Sequence, residues 1–372
     1  RKLKARNPRL KIGVGGCVGS QERERLLKDQ PLIDFVFGTD NIDELPDLVE
    51  DVLSTGQRQS RAQFHHKEPY LMETLVRNPG VASFVNITKG CDNFCTFCIV
   101  PYTRGREKSR PVEDIVGDVR RLVQRGVREV TLLGQNVNSY ESEKGVHFAG
   151  LLKIVAEETL IERIRFTTSH PKDFDEELVG VMRDYREKIC EYIHLPFQSG
   201  STRILEMMNR GYTRDEYLQR IARLRSVFPE VVFSTDIIVG FPSETEEDFQ
   251  DTIRMVQEVG FETIFAFKYS PRPMTKAAHF EGQIPEEVKS ERLERLFRAH
   301  EDQALPKVAR YEGQVLDVLI ERKDARTGLL SGRSRQNKLV HFQGSEEWVG
   351  QTRPVRILKA FPSVLRGEYL KI

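Results

Sequence analysis

A membrane-spanning helix needs about 18–20 consecutive apolar residues, and no such run occurs in this chain of 372 residues. No spanning helix is therefore expected. The first residues, Arg1 to Lys11, are basic and hold no apolar stretch of the kind that forms the core of a signal peptide. Internal repeats and low-complexity tracts are missing too, which sets aside repeat architectures and compositionally biased tails. Cysteine is scarce: five in the whole chain cannot staple a protein of this size. Net charge is almost nil at +1, although it is unevenly spread.

What is present is ordinary for a globular protein with a real core: 39% hydrophobic and 30% charged residues. The length predicts two or three domains. Lys307 to Ile372 carries 13 Lys or Arg against 7 Asp or Glu, a net of +6. Arg104, Arg106, Lys108 and Arg110 cluster with only Glu107 against them. Such patches can meet phosphates while the whole protein stays near neutral. Three of the five cysteines fall within eight residues, a pattern of metal ligation in a reducing cytoplasm.

Along the chain, residues 1–60 read as a small α/β piece, with apolar strands at Leu10–Val14 and Asp34–Phe37 and a helix over Ile42–Leu53. Residues 55–80 are polar and irregular and end in the turn Asn78-Pro79-Gly80. From Val81 onward strands and helices alternate. Strands are predicted over 83–88, 129–134, 163–168, 191–196, 231–239 and 262–269. The helices between them are predicted over 112–125, 148–158, 174–186, 201–226 (broken near Gly211) and 244–259. This spacing means right-handed crossovers and a parallel sheet, either doubly wound or a partial barrel. In both designs chemistry gathers at the C-terminal strand ends. Those ends are unusually polar here: Lys89-Gly90-Cys91, Gln135-Asn136, Ser169-His170, Gln198-Ser199, Gly240 with Glu244, and Tyr269-Ser270. A charged helix follows over Glu286–Ala304, and 313–372 reads as five short strands forming a small β-barrel.

Cys91, Cys95 and Cys98 form C-x3-C-x2-C directly after the first strand of the α/β region. Thiolates are the usual ligands of iron–sulfur clusters, and a cubane takes four. Three cysteines with no local fourth leave one iron open to a substrate. Zinc is the alternative, but a structural zinc wants four ligands and no nearby Cys or His completes the set. Inert buried thiols are the third reading.

The triplet, with an aromatic before its last cysteine, resembles the radical S-adenosylmethionine superfamily. The stretch from Lys89 to Arg110 is similar to the tRNA methylthiotransferases, as are Leu133–Tyr140, His194–Ser201, Asp236–Thr245 and Tyr269–Thr275. The resemblance runs from about residue 10 to the end. It implies a partial (β/α)6 barrel over 81–304, preceded by an N-terminal α/β domain fragment over 1–60 and a linker over 61–80. It also implies a TRAM-like small RNA-binding β-barrel over 305–372.

The resemblance further implies a 4Fe-4S cluster on Cys91, Cys95 and Cys98, and S-adenosylmethionine lined by Gln135, Asn136, Ser169, Gln198, Ser199, Gly240 and Tyr269. The implied reaction adds a methylthio group to C2 of N6-isopentenyladenosine at tRNA position 37. Sister branches act on threonylcarbamoyladenosine or on an aspartate of a ribosomal protein. The implied partners are a tRNA anticodon stem-loop and an electron donor such as flavodoxin or ferredoxin, with no membrane, for a cytoplasmic monomer. RNA contacts are expected from Arg104, Arg106, Arg322, Lys323, Arg333, Arg335 and Lys338, with Phe342, Trp348 and Phe361 either stacking on bases or in the core.

Cys17 lies in Gly13-Val-Gly-Gly-Cys-Val-Gly19, where Val18 breaks the dinucleotide-binding fingerprint. By the resemblance Cys17 is one of three ligands of an auxiliary 4Fe-4S cluster whose other ligands lie upstream. The expectation from sequence is that this chain starts after them. Cys190 is expected in the core.

Overall fold

Parallel strand pairing organises the first three quarters of the chain. The structure, a computed structural model, describes residues 1–65 and 76–371. His66 and Lys67 of the polar stretch lie outside the described residues. At the N-terminus β1 (Gly13–Val14), β2 (Phe35–Phe37) and β3 (Gln59–Arg61) pair in parallel in that order. The strand expected over Leu10–Val14 forms only at its last two residues, with Gly13 exposed and Val14 half-buried. Its glycines admit rings from β2: a Cβ on Gly13 would lie 2.2 Å from the Phe35 ring. The helix Cys17–Asp29 has no apolar stripe to announce it. Polar Gln59–Arg61, within the stretch expected to be irregular, becomes a strand through its backbone pairing with β2.

β4 (Ala82–Asn86) leads into a short antiparallel pair, β5 (Thr88–Lys89) and β6 (Lys108–Ser109), which brackets the cysteine loop. Then come β7 (Glu129–Leu133), β8 (Arg163–Phe166), β9 (Tyr192–His194), β10 (Val232–Val239) and β11 (Thr263–Lys268). β4–β7–β8 and β9–β10–β11 are parallel ladders. A single parallel bridge, Ile164 to Ile189, joins the two. Spatial order follows sequence order without the reversal of a doubly wound sheet, which decides for the partial barrel. Among the described residues β4 and β11 do not pair, so the barrel is open between its first and last strands.

The outer helices form where local signals place them. Thr213–Glu216 and Thr245–Asp248 are reciprocal capping boxes. Gly211, at φ 67°, separates the helices Thr202–Met207 and Arg214–Val227. Alternation along the strands then sorts the side chains. Val85, Val130, Leu132, Ile164, Ile193, Phe233 and Ile237 pack outward against the helices in one buried core. Phe84, Thr131, Arg165, His194, Asp236 and Phe265 line an inner cavity of about 620 Å³.

β12 (Val315–Lys323), β13 (Leu330–Ser334), β14 (Leu339–Phe342), β15 (Thr352–Ala360) and β16 (Leu365–Tyr369) close into a small barrel in the order β12-β13-β14-β16-β15. Its own core includes Val318, Ile320, Val340, Phe342 and Ile357. The helix Glu286–Ala309 leads into it. The small barrel is fastened under the large one by arginines reaching both ways. Arg163 donates to the carbonyls of Arg333 and Asp317 at 2.9 and 3.0 Å, and Arg165 to those of Arg335 and Ser334 at 2.7 Å each. In return Arg335 donates to the carbonyls of Glu187 and Ile189 at 2.9 and 2.7 Å and pairs with Glu191 at 3.0 Å. Lys338 pairs with Glu262, whose carboxylate also accepts from Tyr311 at 2.9 Å.

Replacing Arg335 with Ala removes several charge-assisted hydrogen bonds from this seam. Urea unfolding should show a loss of about 2–3 kcal/mol, with the small barrel's transition separating from the larger domain's. A single unshifted transition would show that the seam contributes little.

Candidate active site

The cysteine loop has little regular structure of its own, and its neighbours hold it. Gly90 sits at φ 80°, where a Cβ would fall 2.1 Å from the Arg106 carbonyl oxygen, so only glycine fits. The Gly90 N–H donates to Gln135 Oε1 at 2.7 Å, and the Cys91 N–H donates to the Gly105 carbonyl at 3.3 Å. Asn209 Nδ2 donates to the carbonyls of Asn93 and Phe94 at 3.1 and 3.2 Å. Thr96 donates through its N–H to Met208 O and through Oγ1 to Met207 O, and its own carbonyl accepts from Ala277. Cys95 is buried, while Cys91 and Cys98 are half-buried.

The three thiols are close enough to act on one another. Burial, aided by Cys95 and Cys98, pushes the Cys91 thiol up to about 11, and burial also raises Cys98. Cys91 and Cys98 therefore keep their protons until a metal displaces them. Among the described residues no three His, Cys, Asp or Glu side chains gather tightly enough for a single metal ion. A cubane binds each thiolate through a different iron and so accepts a wider spacing. Arg210 Nη1 lies 3.4 Å from Cys95 Sγ, which adds a cation beside the trio. This donor set suits a cluster better than zinc.

The structure brings the rim residues together and gives several of them partners within the protein. Gln135 holds Gly90, as above. Asn136 Nδ2 donates to Asp173 at 2.7 Å, and its Oδ1 accepts from the His170 N–H at 3.1 Å. Ser199 Oγ accepts from the Ser201 N–H at 3.3 Å. Gly240, at φ 70°, packs on Lys289, and Gln198 is held at φ 68° by backbone bonding to β10. Ser169 Oγ and Tyr269 Oη are buried with no hydrogen-bond partner among the described residues. His170 Nε2 is a third such atom. Burial drives the His170 pKa far down, so the ring is neutral, and its Nδ1 accepts from the Lys172 N–H at 3.2 Å. The proton then sits on Nε2, a buried donor awaiting an acceptor. Orphaned polar groups at two strand ends fit a polar ligand such as the methionine and ribose of S-adenosylmethionine.

The N-terminal α/β unit packs onto this rim. Lys89 pairs with Asp40 and donates to Thr39 O at 2.9 Å, and Thr39 Oγ1 donates to Thr103 O at 2.7 Å. Cys17, at the start of its helix, receives Arg104 Nε at 3.4 Å. It opens on a cavity of about 210 Å³ shared with Asn86, Thr88, Lys89 and Gln135. Cys190 is buried beneath β8, as expected of a core residue.

Residues 85–256 match the Radical SAM superfamily, and residues 309–370 match the TRAM domain. The tRNA-2-methylthio-N(6)-dimethylallyladenosine synthase of Bdellovibrio bacteriovorus is 65% identical over 99% of this chain and 81% of its own length. The chain belongs to the tRNA-2-methylthio-N(6)-dimethylallyladenosine synthase family. Synthases of the same name from Syntrophus aciditrophicus and Geobacter metallireducens are 46% and 47% identical over 100% and 99% of this chain and 81% and 84% of theirs. The radical S-adenosylmethionine methyltransferase TsrM from Kitasatospora setae shares the fold at a TM-score of 0.57 and 15% identity, over 74% of this chain and 61% of its own. The cofactors of this family are a 4Fe-4S cluster and S-adenosylmethionine.

Within the family's small barrel, the residues expected to contact RNA differ in how far the protein itself engages them. Arg335 and Lys338 are tied into the seam with the larger domain, because the carbonyls and carboxylates beneath the barrel hold them. Arg333 is half-buried against Glu321 at 3.4 Å. Arg104 turns to Cys17, and Arg106 pairs with Asp92 at 2.7 Å while remaining exposed. Arg322 and Lys323 are exposed. Phe342 is core, Trp348 packs on Tyr369 at 4.7 Å, and Phe361 is exposed beside Arg366.

Sequence reasoning missed Arg210 and Glu107 near the site, and it named His170 only among the polar strand ends. Only their closeness to the polar strand ends and the cysteine loop hinted at them. Glu107 accepts from Ser139 Oγ at 2.7 Å, and burial lifts its carboxyl to about 7. A raised carboxyl favours folding while protonated. Its contribution is complete below the ordinary 4.5 and is lost as pH rises through about 7. In the cluster-free chain Glu107→Gln should flatten this fall in unfolding free energy across that interval. Parallel pH profiles for the two proteins would refute the assignment.

Proposed function

We propose that this chain methylthiolates C2 of N6-isopentenyladenosine at position 37 of tRNA, with S-adenosylmethionine as both radical source and methyl donor. The observation that carries the reading is 65% identity over 99% of the chain to a synthase named for that product. Cys91, Cys95 and Cys98 would hold the radical 4Fe-4S cluster, which would supply the one-electron reduction that cleaves S-adenosylmethionine into methionine and a 5′-deoxyadenosyl radical. Ser169, His170 and Tyr269 offer their unpartnered polar atoms to the nucleoside and amino-acid parts of that molecule. Gln198, Ser199 and Gly240 shape the backbone around it, while Gln135 and Asn136 act mainly by holding the cysteine loop and the His170 turn. Cys17, across the small cavity from the rim, is the auxiliary-cluster ligand of this chain.

The base enters through the open side of the barrel. Phe84 and Phe265 stand on its two edge strands, 64% and 46% exposed, and give a purine with an apolar tail a surface to lie on. The surrounding tRNA meets the exposed side of the small barrel at Arg322, Lys323 and Arg326. The division of the chain at about residues 60, 80 and 304 follows from the same reading. A small low-potential protein such as flavodoxin or ferredoxin delivers the electron, and the enzyme works as a cytoplasmic monomer. The three relatives named above carry the name of the isopentenyladenosine product, which favours it over threonylcarbamoyladenosine and a ribosomal protein aspartate.

Two measurements test this. Reconstituted anaerobically and reduced, the chain should release 5′-deoxyadenosine from S-adenosylmethionine. Cys91→Ala, Cys95→Ala and Cys98→Ala should each abolish release, and Cys190→Ala should not; a triple cysteine variant that still released it would disprove the ligand set. For tRNA, the slope of log K against log salt should shrink by about 2–3 when Arg322, Lys323 and Arg326 are all changed to Ala. An unchanged slope would move the RNA surface elsewhere.

A further inference from the structure

Arg210 is only 6% exposed, yet among the described residues no carboxylate partners it. Its guanidinium donates through Nη1 to Cys95 Sγ at 3.4 Å, through Nη2 to the Pro196 carbonyl at 3.0 Å and through Nε to Tyr212 Oη at 3.2 Å. Three other buried arginines are paired with carboxylates: Arg110 with Asp118 at 2.9 Å, Arg165 with Glu129 at 2.9 Å and Arg292 with Glu244 at 2.7 Å. Arg163, like Arg210, has carbonyl partners, but among the described residues it makes no hydrogen bond to sulfur. An uncompensated buried cation costs several kcal/mol. The sulfur of Cys95, which faces the guanidinium directly, would carry negative charge as a ligand of an iron–sulfur cluster. Three fixed partners leave the guanidinium little freedom to turn away.

We propose that Arg210 is a positioning residue that raises the reduction potential of the cluster through its charge-assisted hydrogen bond to Cys95. The inference rests on the reading of Cys95 as a ligand. On reduction one electron enters from the donor, no bond to the protein is made or broken, and the cluster with its thiolates gains one negative charge. A fixed cation hydrogen-bonded to a ligating sulfur stabilises the reduced form more than the oxidised one, and hydrogen bonds to sulfur are among the terms that set cluster potentials. In a family whose chemistry begins with that electron, this lowers the demand on the donor.

The test is a potentiometric titration of the reconstituted full chain, followed by electron paramagnetic resonance of the reduced cluster. Iron and sulfide are counted in every sample. Arg210→Gln should lower the reduced-to-oxidised ratio about tenfold at fixed solution potential, which is about 59 mV for a one-electron couple. Arg210→Lys, which keeps the charge, and Tyr212→Phe, which removes only the Nε partner, should stay within about threefold of the original. A residue that merely supports the fold would change cluster content, not the potential of the clusters that form. An Arg210→Gln potential equal to or above the original overturns the proposal. If that variant takes up no cluster, Arg210→Lys decides: a ratio within about threefold supports the proposal, and a drop of tenfold or more overturns it. An original chain that binds no cluster would instead sink the reading of the cysteines.

Discussion

The chemistry at the rim depends on the backbone of Gly90–Cys98 being held from outside. That segment has no ladder of its own across the three cysteines, and loops of this kind adopt many shapes when left free. Here three separate parts of the fold fix it. Gln135, from the loop after β7, takes the Gly90 N–H. Asn209 takes two carbonyls between the first and second cysteines. Met207, Met208 and Ala277 engage Thr96 between the second and third. The clamps come from segments far apart in the chain, Gln135, Met207–Asn209 and Ala277, so the thiols take their places only when the barrel has assembled. Preorganisation of this sort lets a ligand set form without ordering costs at the moment of binding.

The same economy governs the two ends of the barrel. At the lower end Arg163 and Arg165 reach into the backbone of the small barrel while Arg335 reaches back, and together they tie the RNA-binding unit to the radical domain. At the upper end Lys89 and Thr103 bind the N-terminal unit through Asp40 and Thr39. Cys17 is thereby brought to a cavity bordering the loop that carries Cys91, Cys95 and Cys98. The protein's own carbonyls and carboxylates hold Arg335 and Lys338 in the lower seam, so the basic stretch 307–372 has fewer free cations than its composition suggests.

Much of this architecture was legible in the chain. Strand and helix alternation gave the elements of the large barrel within a few residues, because amphipathic periodicity and capping residues such as Thr213 and Thr245 act locally. The five strands of the small barrel were equally plain. The helix Cys17–Asp29 and the strand Gln59–Arg61 were not, since neither carries an apolar pattern; one is placed by packing on β2 and the other by pairing with it.

By itself the sequence determined the three-cysteine motif, the polar strand ends, the order of the units and, through close relatives, the family. These depend on residue type and spacing, which the chain states directly. Tertiary structure alone decided between doubly wound sheet and open barrel, since both have the same periodicity. It also decided which cations are free. Arg322 and Arg335 look alike in the sequence, but one is exposed and the other is bound to carbonyls of the neighbouring domain. Arg210, one arginine among many, gains its place beside Cys95 because residues 115 apart in sequence are folded to within hydrogen-bonding distance. Burial and partnership are properties of that proximity, and no local pattern encodes them.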